Sequence, residues 1–190
     1  IKDWSDLWSE DLKGKVAIPD ITTTGGPLFL SVAADKGGKA LKDDKGEAAF
    51  KALEELKPNI VKTYSKSSDL ANMFQAGEVT VAVVVDFAIP TVKKANSNVV
   101  SVVPESGTYA NYNTVNIVKN AKNKENAYKY VNFRISTENQ TVKAKSLSEA
   151  PVNKDVKLAD NEVKTMTYGD VAKRAKTVDF KLVNENLKAW

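Results

Sequence analysis

Apolar positions along the chain come in short runs set between polar stretches that carry glycine or proline, and their spacing switches between two periods. Val16-Ala17-Ile18 is a brief continuous apolar run closed by Pro19-Asp20, the pattern of a buried strand. Thr22-Thr23-Thr24-Gly25-Gly26 follows, then Leu28-Phe29-Leu30 and Val32-Ala33-Ala34. Pro27 suits the first position of a helix there, and Gly37-Gly38 suits its end. Phe50 and Leu53 mark one face of a helix from Glu47 to Leu56, which Pro58 stops. Ile60 to Tyr64 predicts a short strand. A helix through Ala71, Met73 and Phe74, capped by Ser68, ends at Gly77. Val79 to Val85 is apolar on both faces, as a strand covered on both sides would be, and Asp86 stands at its carboxyl end.

The second half repeats the alternation. Phe87 to Ala95 predicts a helix, and Val99 to Val103 and Thr114 to Val118 predict two further strands. Asn123 is placed to cap a helix carrying Ala127, Tyr130, Val131 and Arg134, and Thr137 with Gln140 has the spacing of a capping box for the next. After Pro151 the chain is polar until a final amphipathic helix with Val183, Leu187 and Trp190 at i, i+4 and i+7. Near the start, Trp4-Ser5-Asp6-Leu7-Trp8 predicts a short capped turn of helix that Gly14 breaks. Strands alternating with helices in this way predict an α/β fold, a mixed and mostly parallel sheet flanked by helices.

Composition narrows the function. At 190 residues and 42% hydrophobic, the chain can bury a core in one domain, or one and a half. Charged residues make up 27%, an ordinary globular share. The net charge of +4 rests on lysines interleaved with acids, and no basic segment alternates with stacking aromatics, so nucleic acid is not an expected partner. Cysteine and histidine are absent from the sequence. That excludes structural disulfides and cysteine-based zinc sites, and it removes the base that a nucleophilic serine ordinarily needs. Gly25-Gly26 lacks the lysine and the spacing of a phosphate-binding loop. No run reaches the roughly 20 apolar residues of a membrane span. The chain opens at Ile1-Lys2-Asp3-Trp4 without methionine or a signal-peptide pattern, as a processed fragment would. Neither a catalytic residue nor a metal or cofactor is expected.

Three segments suit binding. Thr22, Thr23 and Thr24 with the amides of Gly25 and Gly26 lie just before a helix, where hydroxyls and free backbone donors receive an anion or a carbonyl; plain turn chemistry with a cap is the other reading. Asp86, at the carboxyl end of a buried strand, stands where open α/β sheets bind ligands and can receive a cation, or else it caps the helix that follows. Tyr109, Asn111, Tyr112 and Asn113 gather aromatics and amides after Gly107, a group that can wall and hydrogen-bond a polar solute or simply enter a strand.

The order of segments resembles the family-1 extracellular solute-binding proteins of ABC importers, the spermidine/putrescine-binding branch above all, with its relatives for thiamine, ferric iron and 2-aminoethylphosphonate. The resemblance is carried by Asp3-Trp4-Ser5-Asp6-Leu7-Trp8 and Leu12-Lys13-Gly14-Lys15-Val16-Ala17-Ile18-Pro19-Asp20, by Gln75-Ala76-Gly77-Glu78-Val79, and by Val103-Pro104-Glu105-Ser106-Gly107-Thr108-Tyr109. Its most specific piece is Asn120-Ala121-Lys122-Asn123-Lys124-Glu125-Asn126-Ala127 with Tyr130-Val131-Asn132-Phe133.

That resemblance implies one lobe of a type II periplasmic binding protein. Residues 1–112 and 153–190 correspond to the second of two lobes, and residues 113–152 to a crossover that would pack on the first; without that lobe, the crossover needs repacking or a dimer. The implied function is capture of a small polar, amine-bearing solute by cleft closure and delivery to a membrane permease, outside the cytoplasmic membrane, in the periplasm or on a lipid anchor. Thr23, Thr24, Gly25, Gly26, Asp86, Tyr109, Asn111 and Asn113 are the implied ligand contacts. Where polyamine-binding relatives place a tryptophan and an aspartate, this chain has Asn111 and Asn113, and a second aromatic position is Val85. Tyr109 and Tyr112 are available as the paired tyrosines that ferric iron calls for, with no further iron ligand beside them. The alternatives are an α/β enzyme working through carboxylates, which turnover of a bound solute would reveal, and a structural or adhesive module with a lysine-rich exterior.

Overall fold

A computed structural model describes residues 1–164 and 166–190. Val16–Pro19 forms β1, buried at all four positions because it is the middle strand of a sheet ordered β2-β1-β3, with β2 at Ile60–Tyr64 and β3 at Val81–Ala82. Both pairings are parallel, as the alternation of elements predicts.

The side-chain period of two divides β1 between two cores. Val16 and Ile18 meet Leu7, Phe29, Val32, Leu56 and Val83 on one face, and Ala17 meets Tyr64, Leu70, Met73, Val79 and Val92 on the other. The first face is covered by α1 (Gly25–Gly37) and, after the single turn α2 (Leu41–Asp44), by α3 (Glu47–Leu56). The second is covered by α4 (Ser67–Ala76) and α5 (Ile89–Ala95). Helix α1 is buried along most of its length, which explains why its sequence reads apolar without a clear polar stripe. It ends at Gly38, whose φ of 75° lets its amide reach back to the Ala34 and Asp35 carbonyls.

Beyond α5 the chain pairs Thr108–Ala110 (β4) in parallel with Ala175–Thr177 (β5). Between them lie α6 (Lys124–Arg134), α7 (Thr137–Leu147), α8 (Asp160–Val163) and α9 (Asp170–Arg174), and α10 (Phe180–Asn186) closes the chain. Trp190 lies past the end of α10, its ring 6.5 Å from that of Phe50 and its indole N–H donated to the Lys45 carbonyl at 2.7 Å.

Several expectations are corrected. Helix α1 starts at Gly25, two residues before Pro27. Helix α4 starts at Ser67 with Lys66 at the cap, so Ser68 lies inside the first turn. Ser136, not Thr137, caps α7, accepting the Asn139 amide; the Gln140 side chain instead accepts the Val152 and Asn153 amides. The helix expected from Phe87 begins as a 3-10 turn over Asp86–Ala88 and becomes α-helical at Ile89. The strand expected over Val79–Val85 is paired only at Val81 and Ala82, and neither Val99–Val103 nor Thr114–Val118 forms a strand. A strand is completed by a neighbour, and Val99–Val103 and Thr114–Val118 have the β-branched composition without a strand partner among the described residues.

Candidate functional site

The carboxyl ends of β1 and β3 open side by side. After β1 the chain turns through Asp20–Thr24 into α1; after β3 it reaches Val85 and Asp86. Gly25 joins the two, since a Cβ there would lie 3.0 Å from the Cβ of Pro19 and 3.5 Å from the Cγ1 of Val85. The result is one open cavity of about 1110 Å³ whose lining includes Thr24, Gly25, Asp86, Tyr109, Asn111 and Asn113.

Thr23 and Gly26 stand behind this surface. The Thr23 hydroxyl donates to the Asp20 carbonyl at 2.7 Å and accepts the Gly26 amide at 3.3 Å. A Cβ on Gly26 would come within 2.4 Å of the Asp20 oxygen, so only glycine lets α1 start this close to the loop. The Asp20 carboxylate accepts the Thr22 hydroxyl and amide, and these bonds hold its pKa below the usual carboxylate value. The turn reading therefore accounts for Thr22, Thr23 and Gly26. Thr24, which makes no cap hydrogen bond, and Gly25 are the part of the loop that faces the cavity.

Asp86 is half-buried. Its Oδ1 accepts the Phe87 amide at 2.9 Å, but Val85 and Ala88 stand at the caps of the 3-10 turn and of α5, so the expected capping role is not realised; its Oδ2 accepts the amide and hydroxyl of Thr167 at 3.3 Å each. A carboxylate offers about four acceptor positions, so these three bonds orient it and leave capacity for one more donor. Among the described residues no lysine or arginine forms a salt bridge with it.

Tyr109 presents its ring to the cavity but commits its hydroxyl elsewhere, donating to Asp35 Oδ2 at 2.8 Å. Lys176 binds the same oxygen at 2.8 Å with its ammonium 5.5 Å from the tyrosine ring. Burial, with the Asp35 carboxylate adding to it, pushes the Tyr109 phenol well above its ordinary pKa. Asn111, Tyr112 and Asn113 are exposed and line the cavity.

Three further residues of this cavity escaped sequence reasoning. Phe87, 50% exposed, stands beside Asp86; an aromatic directly after a strand-end carboxylate was the available signal. Thr167 lies 81 residues from the carboxylate it binds, beyond any local pattern. Arg134, one of two arginines, sits on α6 and also lines the cavity.

The decisive comparison is with a family model described as bacterial extracellular solute-binding protein, which matches residues 1–168. The chain belongs to this family. A spermidine/putrescine-binding periplasmic protein of Escherichia coli (strain K12) is 29% identical over 134 residues, 70% of this chain and 37% of the relative. The crystal structure of an ABC transporter from Clostridium perfringens ATCC 13124 is 57% identical with a TM-score of 0.90, covering all of this chain and 60% of that one. A ferric binding protein from Campylobacter jejuni, at 20% identity and TM-score 0.69, shares the fold. These relatives are named for binding and transport rather than catalysis, and the fold is that of a type II periplasmic binding protein lobe. The family places the protein outside the cytoplasmic membrane, and no helix among the described residues is long and apolar enough to cross one. The chain spans 37% of the length of the Escherichia coli relative and 60% of that of the Clostridium perfringens structure.

Proposed function

We propose that this chain is the second lobe of the solute-binding component of an ABC importer, and that the solute is small, polar and amine-bearing, in the manner of a polyamine. The observation that carries the reading is Asp86: an oriented carboxylate in a cavity at the strand ends, with acceptor capacity left and no cation paired to it among the described residues. An ammonium group donated to Asp86 also meets the exposed ring of Phe87, where a cation over an aromatic face is favourable. Thr24, Gly25, Asn111 and Asn113 supply neutral donors and acceptors around it, Tyr109 a wall, and Thr23 and Gly26 the turn that fixes α1. The spermidine/putrescine-binding relatives support the same class of solute.

Residues 1–112 and 153–190 form this lobe in the proposal, and 113–152 cross to a first lobe carried by the rest of the protein. Helix α6 buries no residue, and Val118 and Phe133 are 76% and 54% exposed. Closure of the two lobes over the solute creates the form that a membrane permease receives. A second reading, a solute with both an amine and an anionic group, is favoured by Arg134 on the same cavity.

Thermal melting of the protein with its preceding lobe present tests both. A ligand that binds only the folded state raises the melting temperature. Spermidine or putrescine should raise it, and Asp86→Ala should abolish the rise. A shift with 2-aminoethylphosphonate alone selects the second reading, and a shift with neither class removes support for an amine ligand.

A further inference from the structure

A carboxylate accepts at about four positions, two on each oxygen, and the donors Asp86 already holds decide which cation it can take. Its Oδ2 receives two donors from one residue, the amide and the hydroxyl of Thr167, at 3.3 Å each, which fills both positions of that oxygen. Its Oδ1 receives the Phe87 amide at 2.9 Å, which fills one. The position left is single and lies on Oδ1. A sequence neighbour serves one oxygen, and a residue 81 positions away closes the other.

Ammonium and guanidinium meet such a group differently. An ammonium is a compact point charge that needs only one N–H on one oxygen, its other two N–H groups turning to acceptors nearby. A guanidinium is a planar fork that pairs best through two parallel N–H bonds, one to each carboxylate oxygen. The fork needs a free position on both Oδ1 and Oδ2, and Thr167 has taken both on Oδ2. The cavity offers a guanidinium no better partner. Among the described residues, the other acids of its lining are Asp3 and Glu149. Asp3 accepts the amides of Trp4 and Ser106 and the Ser106 hydroxyl, and Glu149 holds the Lys143 ammonium at 2.7 Å. Thr24, Asn111 and Asn113 line the same cavity with side-chain oxygens, the acceptors that the remaining N–H groups of an ammonium require.

We propose that Thr167 is a specificity-determining residue of this site, selecting a primary ammonium over a guanidinium by closing Oδ2 of Asp86. That selection presupposes that Asp86 receives the cation of the solute, as proposed above, and it narrows the solute to amines as against their guanidino counterparts. Thr167 is half-buried and held from both sides: Met166 is 3% exposed, and the Tyr168 hydroxyl donates to the Val156 carbonyl at 3.1 Å. Removing the Thr167 hydroxyl frees one position on Oδ2 while the backbone amide keeps the other. Each oxygen then has one open position, which is what the guanidinium fork needs.

An amide NMR titration of the full-length protein with n-butylammonium and with n-butylguanidinium, read at the Phe87 amide, tests this with single-headed probes that differ only in the charged group. In the wild-type protein butylammonium should bind at least about tenfold more tightly, the worth of about one charged hydrogen bond. Thr167→Ala should move the ratio of the two dissociation constants toward guanidinium by at least about fivefold. Thr167→Ser, which keeps the hydroxyl, should leave the ratio at its wild-type value. Each ratio compares two ligands on one protein, so general damage to the fold weakens both and does not move it. Butylguanidinium binding the wild-type protein as tightly as butylammonium overturns the proposal, and that pair decides even if Thr167→Ala does not fold. A ratio unchanged in Thr167→Ala, or moved as far in Thr167→Ser, overturns it too; in all three cases the amine reading of Asp86 stands. If neither probe moves the Phe87 amide, Asp86 takes no cation, and that reading falls together with the selection.

Discussion

Tyr64 donates its phenolic hydroxyl to the main-chain carbonyl of Val83 at 2.6 Å, reaching across the end of the central strand. The residue between them explains why. Lys15 and Ala17 turn their carbonyls toward β3, and by the same alternation Pro19 turns its nitrogen there, where it has no hydrogen to give. The tyrosine on β2 supplies the donor that proline withholds. Tyr64→Phe leaves the Val83 oxygen without that partner and should cost about 1–3 kcal/mol. Urea denaturation should show a lower midpoint with an unchanged slope; an unchanged midpoint would mean that water replaces the hydroxyl.

Alkaline stability follows from two phenols. Burial raises the pKa of both Tyr64 and Tyr109 well above the ordinary 10.0. A pKa raised in the folded state means that the stability involved is complete below the unfolded value and is lost as pH rises from there through the folded one. The protein should therefore lose stability above about pH 10, and the double variant Tyr64→Phe, Tyr109→Phe should lose less of it over the same interval. Parallel stability–pH curves for the two proteins would contradict this.

Gly26→Ala should destabilise the fold rather than merely weaken binding. The added methyl meets the Asp20 carbonyl oxygen and Ile21 Cα at 2.4 Å, both of them backbone. Over-packing of this kind costs about 1–3 kcal/mol, and rigid backbone places it toward the upper end. A fall in melting temperature is expected; a normal melting temperature would show that the start of α1 can shift.

The exposed face of α6 makes a prediction that depends on length. Phe133→Lys should change the stability of this chain by no more than about 0.5 kcal/mol, because the side chain is exposed. In the longer protein the same change should destabilise by more, since a partner lobe would cover it. Equal small effects in both would deny that 113–152 packs on a first lobe.

Much of the fold was legible because its signals are local. The run Val16-Ala17-Ile18, the glycine stops at Gly38 and Gly77 and the cap at Asn123 each act within a few residues. Strand pairing is not local: Val99–Val103 has a strand's composition, but whether it pairs depends on a neighbour that no nearby residue reveals. The site was legible for the same reason in part. Asp86 and the threonine–glycine loop could be found because strand ends are where sheets bind ligands. That Thr23 and Gly26 bind each other, that the Tyr109 hydroxyl goes to Asp35, and that Thr167 orients Asp86 depend on contacts between distant or turned-away groups.

The central claim is that the strand-end cavity receives an amine-bearing solute. The most direct measurement is an amide NMR titration of this chain with spermidine, which detects even the weak binding expected of one lobe. The account predicts shifts that begin at Asp86 and Phe87, extend to Thr24, Gly25, Asn111 and Asn113, and vanish in Asp86→Ala. Shifts scattered over acidic surface residues and unchanged by that substitution, or no shifts at millimolar spermidine, would contradict it.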